Sequence, residues 1–324
     1  MKKYILIVIL LIINSGILFA RNGDGGYAGA FLRMGMGARA KAMGDAFTAI
    51  PEGAIAGFYN PALLPHLQER QVVASYSFLP LDRSLDYVGF AMPLHPAAKE
   101  GKRGNPLKAG VALGWVHAGT DKIYGTNSNG QFIGDLSNSE HAFYLSFAIR
   151  PADKLSIGVS GKVLYNRMPG LQTDNSALTS TGFGMDFGIF LTPRKNVMLG
   201  FVVRDNMSKY TWNTDKVFER GTSTVYKFPK VTRAAIAYRI PQEWLLLAFE
   251  AETSDKQNPR YHYGMEFTYK PVGAIQLGLD DNMPTFGLGL KFNVLSKTTL
   301  INYAFVVNDV TPGSDHIFTW AFNF

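Results

Sequence analysis

From about residue 71 to the C-terminus, apolar residues alternate with polar or small ones. In "KLSIGVSGKVLY", Leu155, Ile157, Val159, Val163 and Tyr165 share one face, against Ser156, Gly158, Ser160 and Lys162. The same period of two runs through "STGFGMDFGIFL", "RYHYGMEFTYK" and "FGLGLKFN", and it is the signature of β-strands with one apolar face. About 14 strands are expected, near 71–79, 85–94, 107–117, 139–150, 154–167, 179–191, 196–204, 228–239, 243–252, 260–270, 273–281, 284–293, 298–307 and 315–324. Most are long enough to cross a bilayer on a tilt. Short connections ("PADK", "TPRKN", "IPQE", "KPVG", "VLSK") alternate with longer ones, and the two longest, about 118–138 and 205–227, fall on one side. The 95–106 connection breaks the pattern, being long on the short-turn side. Trp115, Trp320, Tyr76, Tyr165, Tyr238 and Tyr269 sit where interfacial girdles belong. The expected fold is all-β: a transmembrane antiparallel β-barrel of about 14 strands, built from residues 71–324.

The stretch before the strands has another period. In "MGMGARAKAMGDAFTAI", Met36, Ala40, Met43 and Phe47 recur at helical spacing. Further on, Asn60 suits an N-cap and Pro61 the first helical turn, with Leu63, Leu64 and Leu67 facing apolar surface and Pro65 limiting the turn. The wall side chains of a barrel this wide do not fill its lumen. Residues 21–70 are therefore expected to form a short helical plug, or hatch, inside it.

Residues 1–20, "MKKYILIVILLIINSGILFA", have the basic start, apolar stretch and small-residue end of a secretory signal peptide cleaved near Ala20. Export and strand pattern together point to the outer membrane of a Gram-negative bacterium, with its lipids as the surrounding partner. The terminal run "HIFTWAFNF" carries Phe318, Trp320, Phe322 and Phe324 on one face. Trp320, Phe322 and Phe324 are the candidate signal for the barrel-assembly machinery. The chain has no cysteine, which excludes disulfides, thiolate metal sites and a lipid anchor on cysteine. The net charge is +7, of which Lys2 and Lys3 belong to the signal segment. No basic stripe forms, so nucleic acid is not an expected partner.

The stretch "AGAFLRMGMGARAKAMGDAFTAIPEGAIAGFYNPALL" resembles the N-terminal signature of the PorV/PorQ family, through Phe31-Leu32, Gly37-Ala38-Arg39-Ala40, Ala42-Met43-Gly44, Ala46-Phe47 and Asn60-Pro61-Ala62. That family is similar in turn to FadL-type outer-membrane proteins, 14-stranded barrels with an N-terminal hatch. Asp45 stands where a second glycine is usual, and Glu52 alone represents an acidic pair. The resemblance implies a plug motif of Gly37, Arg39, Met43, Gly44, Phe47, Asn60, Pro61 and Ala62. It implies first a component or shuttle of type IX protein secretion that binds exported proteins by their C-terminal signal domains. Tyr124, Tyr210, Trp212 and Tyr226 in the long loops are then the candidate partner contacts. The alternative it implies is a FadL-like passive transporter of hydrophobic small molecules with plug-gated release, for which Met34, Met36 and Phe58 join the plug motif as candidate apolar contacts.

No enzymatic chemistry emerges. "GMGARA" follows no strand, so it is no dinucleotide fingerprint, and the six histidines lack ligand spacing. Glu250 and Glu252 share a strand face and read as luminal charges paired with Arg233, Arg239 or Lys270. No cofactor or metal is expected.

Overall fold

The computed structural model describes residues 26–94, 108–127, 129–169, 177–215, 220–269, 272–294, 297–307 and 313–324. The expected signal peptide, the 95–106 connection and Lys270 lie outside the described residues. The strands are β1 (Gln71–Leu79), β2 (Arg83–Leu94), β3 (Lys108–Thr126), β4 (Phe132–Ala152), β5 (Leu155–Met168), β6 (Leu178–Arg194), β7 (Val197–Asn206), β8 (Lys209–Asn213), β9 (Ser223–Lys227), β10 (Val231–Arg239), β11 (Leu245–Ser254), β12 (Arg260–Tyr269), β13 (Gly273–Asp280), β14 (Met283–Val294), β15 (Lys297–Val307) and β16 (Ser314–Asn323). Fourteen of them form one closed antiparallel barrel, in which β7 pairs with β10 and β16 returns to β1. Closure leaves no unpaired edge, the condition a strand protein must meet in lipid. β8 and β9 form a separate hairpin.

Each expected strand coincides with one strand of the ring. The alternation places its apolar set outward: Phe143, Leu145 and Phe147 of β4 are exposed, while Tyr144, Ser146 and Ala148 between them are buried. An apolar outer face on a closed barrel defines a transmembrane β-barrel, the architecture of outer-membrane proteins. β3 and β4 are much longer than expected, with 19 and 21 residues. The expected loop at 118–138 is therefore mostly strand, continuing the ladder past a bulge between Thr120 and Ile123.

Four short helical pieces precede β1: a 3-10 turn at Ala30–Arg33, α1 (Ala38–Ala42), α2 (Ala56–Tyr59) and a 3-10 turn at Pro61–His66. The helix expected across 34–50 is thus one short turn. Gly44 (φ 63°) and Asp45 (φ 67°) are left-handed and end it, Asp being one of the few side chains that tolerate this region. Met36, Ala40, Met43 and Phe47 are nonetheless all buried. Asn60 caps the second 3-10 turn as expected, its Oδ1 accepting from Ala62 N at 3.0 Å, with Pro61 at the first position.

Candidate functional site

The N-terminal segment touches the wall on opposite sides. α1 packs on β13–β16, and the Pro61–His66 turn packs on β2–β6. Between these contacts, Thr48 donates from its N and Oγ1 to Glu250 of β11, at 2.9 Å each. A segment that reaches so much of the ring lies within the lumen.

Wall glycines make this possible. An added Cβ would stand 2.5 Å from Leu64 C at Gly110, 2.6 Å from Ala62 N at Gly158, 2.3 Å from Thr48 O at Gly200, 2.6 Å from Met43 O at Gly264 and 2.2 Å from Gly44 N at Gly278. These are backbone atoms, which cannot swing aside. The small inward residues thus mark where a second backbone lies, a meaning strand glycines often have.

Charge supplies the other half of the contact. Arg39 forms a two-pronged pair with Glu266 (2.6 and 2.7 Å) and also meets Glu52 (2.8 Å), which in turn bonds Arg239. Lys41 pairs with Asp280 at 2.8 Å. Arg233, fully buried on β10, gathers Asp45 (3.0 Å), Glu250 (3.1 Å) and Glu252 (2.5 Å). Glu252 stands directly opposite it in register, an opposite-charge cross-strand pair. The sequence pairing of Glu250 and Glu252 with Arg233 therefore holds, while Arg239 serves Glu52. Asp45 also accepts from Tyr59 Oη at 2.6 Å, and Tyr59 Oη takes the Met36 N–H at 2.9 Å. Burial alone would raise the Asp45 carboxyl, but Lys41 and Arg233 outweigh it and hold it below the usual range. The residue that departs from the PorV/PorQ-like pattern is thus the segment's anion at the centre of the network. At the other side His66, bonded to Ser156 Oγ at 2.8 Å, is pushed down to about 4 by burial, with Arg150 and Lys108 adding to the shift, so it is neutral at pH 7.

The plug-motif residues are all at this contact. Gly37 precedes α1, Met43 and Gly44 meet β12 and β13, and Phe47 packs on Tyr59 with ring centres 5.3 Å apart. Asn60 Nδ2 donates to Thr48 O and to Ile189 O of the wall, and Pro61 and Ala62 lie over Gly158. Gln276 and the wall glycines carried no expected role in the sequence reading, and Asp45 entered it only as a departure from the resemblance. The only sequence signal of Gln276 and the wall glycines was their inward strand parity.

A cavity of about 540 Å³ opens between the segment and β1, β10 and β12–β16, at the barrel end where β1 begins and β16 ends. Gly37, Arg39 and Phe47 line it. The expected apolar contacts Met34, Met36 and Phe58 do not. Met36 and Phe58 are buried in the segment's own core, Phe58 under the Arg204 guanidinium at 4.4 Å and beside Tyr59, Tyr87 and Tyr144. Met34 packs at the edge of the same core.

At the opposite end the 205–227 loop corrects the expectation of a displayed surface. The β8–β9 hairpin folds inward against the inner face of β6, where Lys209 O approaches Gly182 and Thr211 N donates to Ser180 Oγ at 2.9 Å. Tyr210 and Trp212 are only 1% and 8% exposed; Tyr210 packs on Trp212 and on Phe228, whose ring covers Gly29 of the luminal segment. Tyr226 and Tyr124 do remain outside, at 53% and 68% exposure, and Tyr124 stacks on Phe132. Trp320 and Phe324 are exposed on the outer face of the last strand and its end, with Phe322 half-buried beside Phe324.

These features define a closed 14-stranded antiparallel barrel with an apolar outer face, whose wall is contacted by the short N-terminal helical pieces. Among solved structures, a monoaromatic hydrocarbon channel, TodX, in a deltaS2S3 mutant form matches 90% of this chain and 99% of its own at 13% identity, with a TM-score of 0.61. A deltaS2 mutant of the same channel matches 89% and 99% at 12% identity and TM-score 0.56. A FadL homologue from Pseudomonas aeruginosa matches 96% and 99% at 13% identity and TM-score 0.53. No family model and no curated protein matches the chain. At these identities the likeness is one of fold.

Proposed function

We propose that this protein is a passive outer-membrane channel for hydrophobic small molecules, with residues 27–66 as its plug. The observation that carries this reading is the contact just described: a luminal segment held to the wall by backbone-on-glycine contacts and ion pairs, beside a largely apolar chamber. Buried ion pairs contribute little net stability, because desolvation offsets their attraction. A plug held this way can therefore be displaced at modest cost. The neighbouring folds include a hydrocarbon channel, which favours this reading over the secretion component implied by the PorV/PorQ resemblance. The inward turn of Tyr210 and Trp212 weighs in the same direction, since it removes two of the four aromatics that the secretion reading needs at the surface. The terminal strand, with Trp320 and Phe324 outward, is the surface offered to the assembly machinery and then to lipid.

The test is uptake by cells that carry the chain in place of their own channels. The expected result is faster entry of a radiolabelled apolar aromatic, no added entry of a disaccharide, and entry of both after deletion of residues 27–66. Apolar uptake equal to that of cells without the protein would remove the channel reading. Copurification of exported proteins sharing a C-terminal domain would put the secretion reading in its place.

A further inference from the structure

A polar patch interrupts the apolar outer face of β2–β5 at the end of the barrel opposite the chamber. In register across these four strands, Val88, Trp115, Phe143 and Val163 make an apolar outward row. The next outward row is Asp86, His117, His141 and Tyr165, and the one beyond it is Ser84, Gly119, Ser139 and Arg167. The face thus changes from apolar to polar in one step of the alternation. Such a boundary is where the acyl chains beside a barrel end and the headgroups begin.

The two imidazoles in the patch are each held by one nitrogen. His117 Nδ1 donates to Asp86 Oδ2 at 2.8 Å, and His141 Nδ1 accepts from Trp115 Nε1 at 3.3 Å. The rings stack with centres 4.8 Å apart. Neither Nε2 has a hydrogen-bond partner among the described residues. Because its Nδ1 accepts, neutral His141 carries its hydrogen on Nε2. That atom is a donor to an anion and not a metal ligand. His117 Nε2 becomes a second donor when the ring takes up a proton. Asp86 does not oppose an anion here, since its Oδ1 is buried and its Oδ2 holds His117.

Gly119 leaves a hollow above these rings. Its φ is not in the left-handed region, so the backbone does not call for glycine. An added Cβ would stand 3.0 Å from Ser84 Oγ and 3.8 Å from His117 Nε2. The absent side chain therefore keeps open a space bordered by a hydroxyl and an imidazole nitrogen. Arg167, exposed and without an ion-pair partner among the described residues, stands across the ladder from Ser139 on the same face. Its charge is the uncompensated one in the patch.

We infer that this hollow holds the phosphate of a membrane lipid, whose acyl chains lie down the apolar rows below it. Ser84 Oγ and the imidazole Nε2 atoms donate to the phosphate oxygens, and Arg167 supplies the countercharge, as guanidinium groups do for phosphate. The occupant is a lipid rather than free phosphate because the hollow is continuous with the surface that acyl chains already cover. This site lies on the outside of the wall and is independent of the channel reading.

The test uses the purified full chain in dodecyl maltoside, with bound lipid counted by native mass spectrometry. The probes are dioleoylphosphatidic acid, dioleoylglycerol, which has the same chains and no phosphate, and inorganic phosphate as competitor. The expected result is about tenfold tighter binding of phosphatidic acid than of dioleoylglycerol, with no displacement by inorganic phosphate at the same concentration as the lipid. Gly119→Val, which fills the hollow and keeps every charge, and Arg167→Gln should each remove most of the preference. Arg194→Gln, an exposed cation at the other end of the wall, should keep it. Heat-modifiable migration on a gel checks that each variant forms the barrel. Phosphatidic acid bound no more tightly than dioleoylglycerol would overturn the inference. A preference that survives Gly119→Val or Arg167→Gln, or that falls as far in Arg194→Gln, would overturn it too, since general surface charge would then hold the lipid. Displacement by equimolar inorganic phosphate would contradict the lipid as occupant.

Discussion

Replacing Gly200 and Gly278 together with valine should open the lumen. Each glycine faces inward from the wall, and each lies against backbone of the luminal segment: Thr48 and Ala49 at Gly200, Met43 and Gly44 at Gly278. A Cβ at 2.2–2.3 Å from those atoms leaves the segment no place to rest. Overpacking of this kind costs about 1–3 kcal/mol per site, and the two contacts are on different parts of the segment, so about 2–6 kcal/mol of docking is lost. The wall is not harmed in the same way, because valine is a better strand residue than glycine. The barrel should therefore assemble and keep its heat-modifiable migration on a gel. In planar bilayers it should change from a closed protein to one with steady, porin-like conductance. Valine at the outward glycine Gly161, where a Cβ meets only ring atoms of Phe183 at 3.9 Å, should leave conductance low.

Loss of Arg233 should be the most damaging single change. Three carboxylates converge on it, one from the segment and two from β11. In Arg233→Met they remain together in a buried place. Glu250 keeps its hydrogen bonds from Thr48, and Asp45 keeps Tyr59. Breaking a buried ion pair from one side costs about 3–5 kcal/mol. The expected result is rapid tryptic cleavage at Arg39 and Lys41, which are partly or wholly buried in the wild-type chain, and a lowered midpoint of thermal unfolding in detergent. The defect should shrink as the pH falls, because each proton taken up removes a charge that Arg233 no longer balances. Arg233→Lys keeps the charge but cannot reach three carboxylates with a planar fork, so it should fall between the two. Wild-type protease resistance in Arg233→Met would mean that the network does not hold the segment.

The wall was legible in the sequence because one physical rule writes it. Lipid outside and polar groups inside force a period of two, and every strand of the ring shows it. The same parity put Glu250, Glu252 and Arg233 on the inner face, so their pairing could be read before the fold. What escaped was whatever depends on two backbones meeting. The inward glycines signalled a lumen, but nothing in a strand says that Gly200 will meet Thr48 rather than water. The β8–β9 hairpin escaped for a related reason. "YTWN" reads equally well as a displayed aromatic loop and as a tongue folded onto β6, and only the small residues Ser180, Gly182 and Gly184 across from it decide. The extra length of β3 and β4 was hidden because the apolar alternation fades after Val116, although the ladder of hydrogen bonds does not. The helix at Met36–Phe47 was overread: its period is kept by burial from several sides, while Gly44 and Asp45 break the backbone.

The central claim is that the luminal segment must move for cargo to pass, and a single tether tests it most directly. Gly57 of α2 and Ala112 of β3 face each other, with a Cβ at Gly57 standing 3.0 Å from that of Ala112, close to the ~3.5–4.5 Å a disulfide spans. The chain has no cysteine of its own, so Gly57→Cys with Ala112→Cys makes one defined bond. Apolar uptake by cells carrying this variant should stop when the bond is oxidised and return when it is reduced, with either cysteine alone behaving as wild type. Full uptake through the oxidised form would contradict the account, since cargo would then pass a plug that is fastened in place.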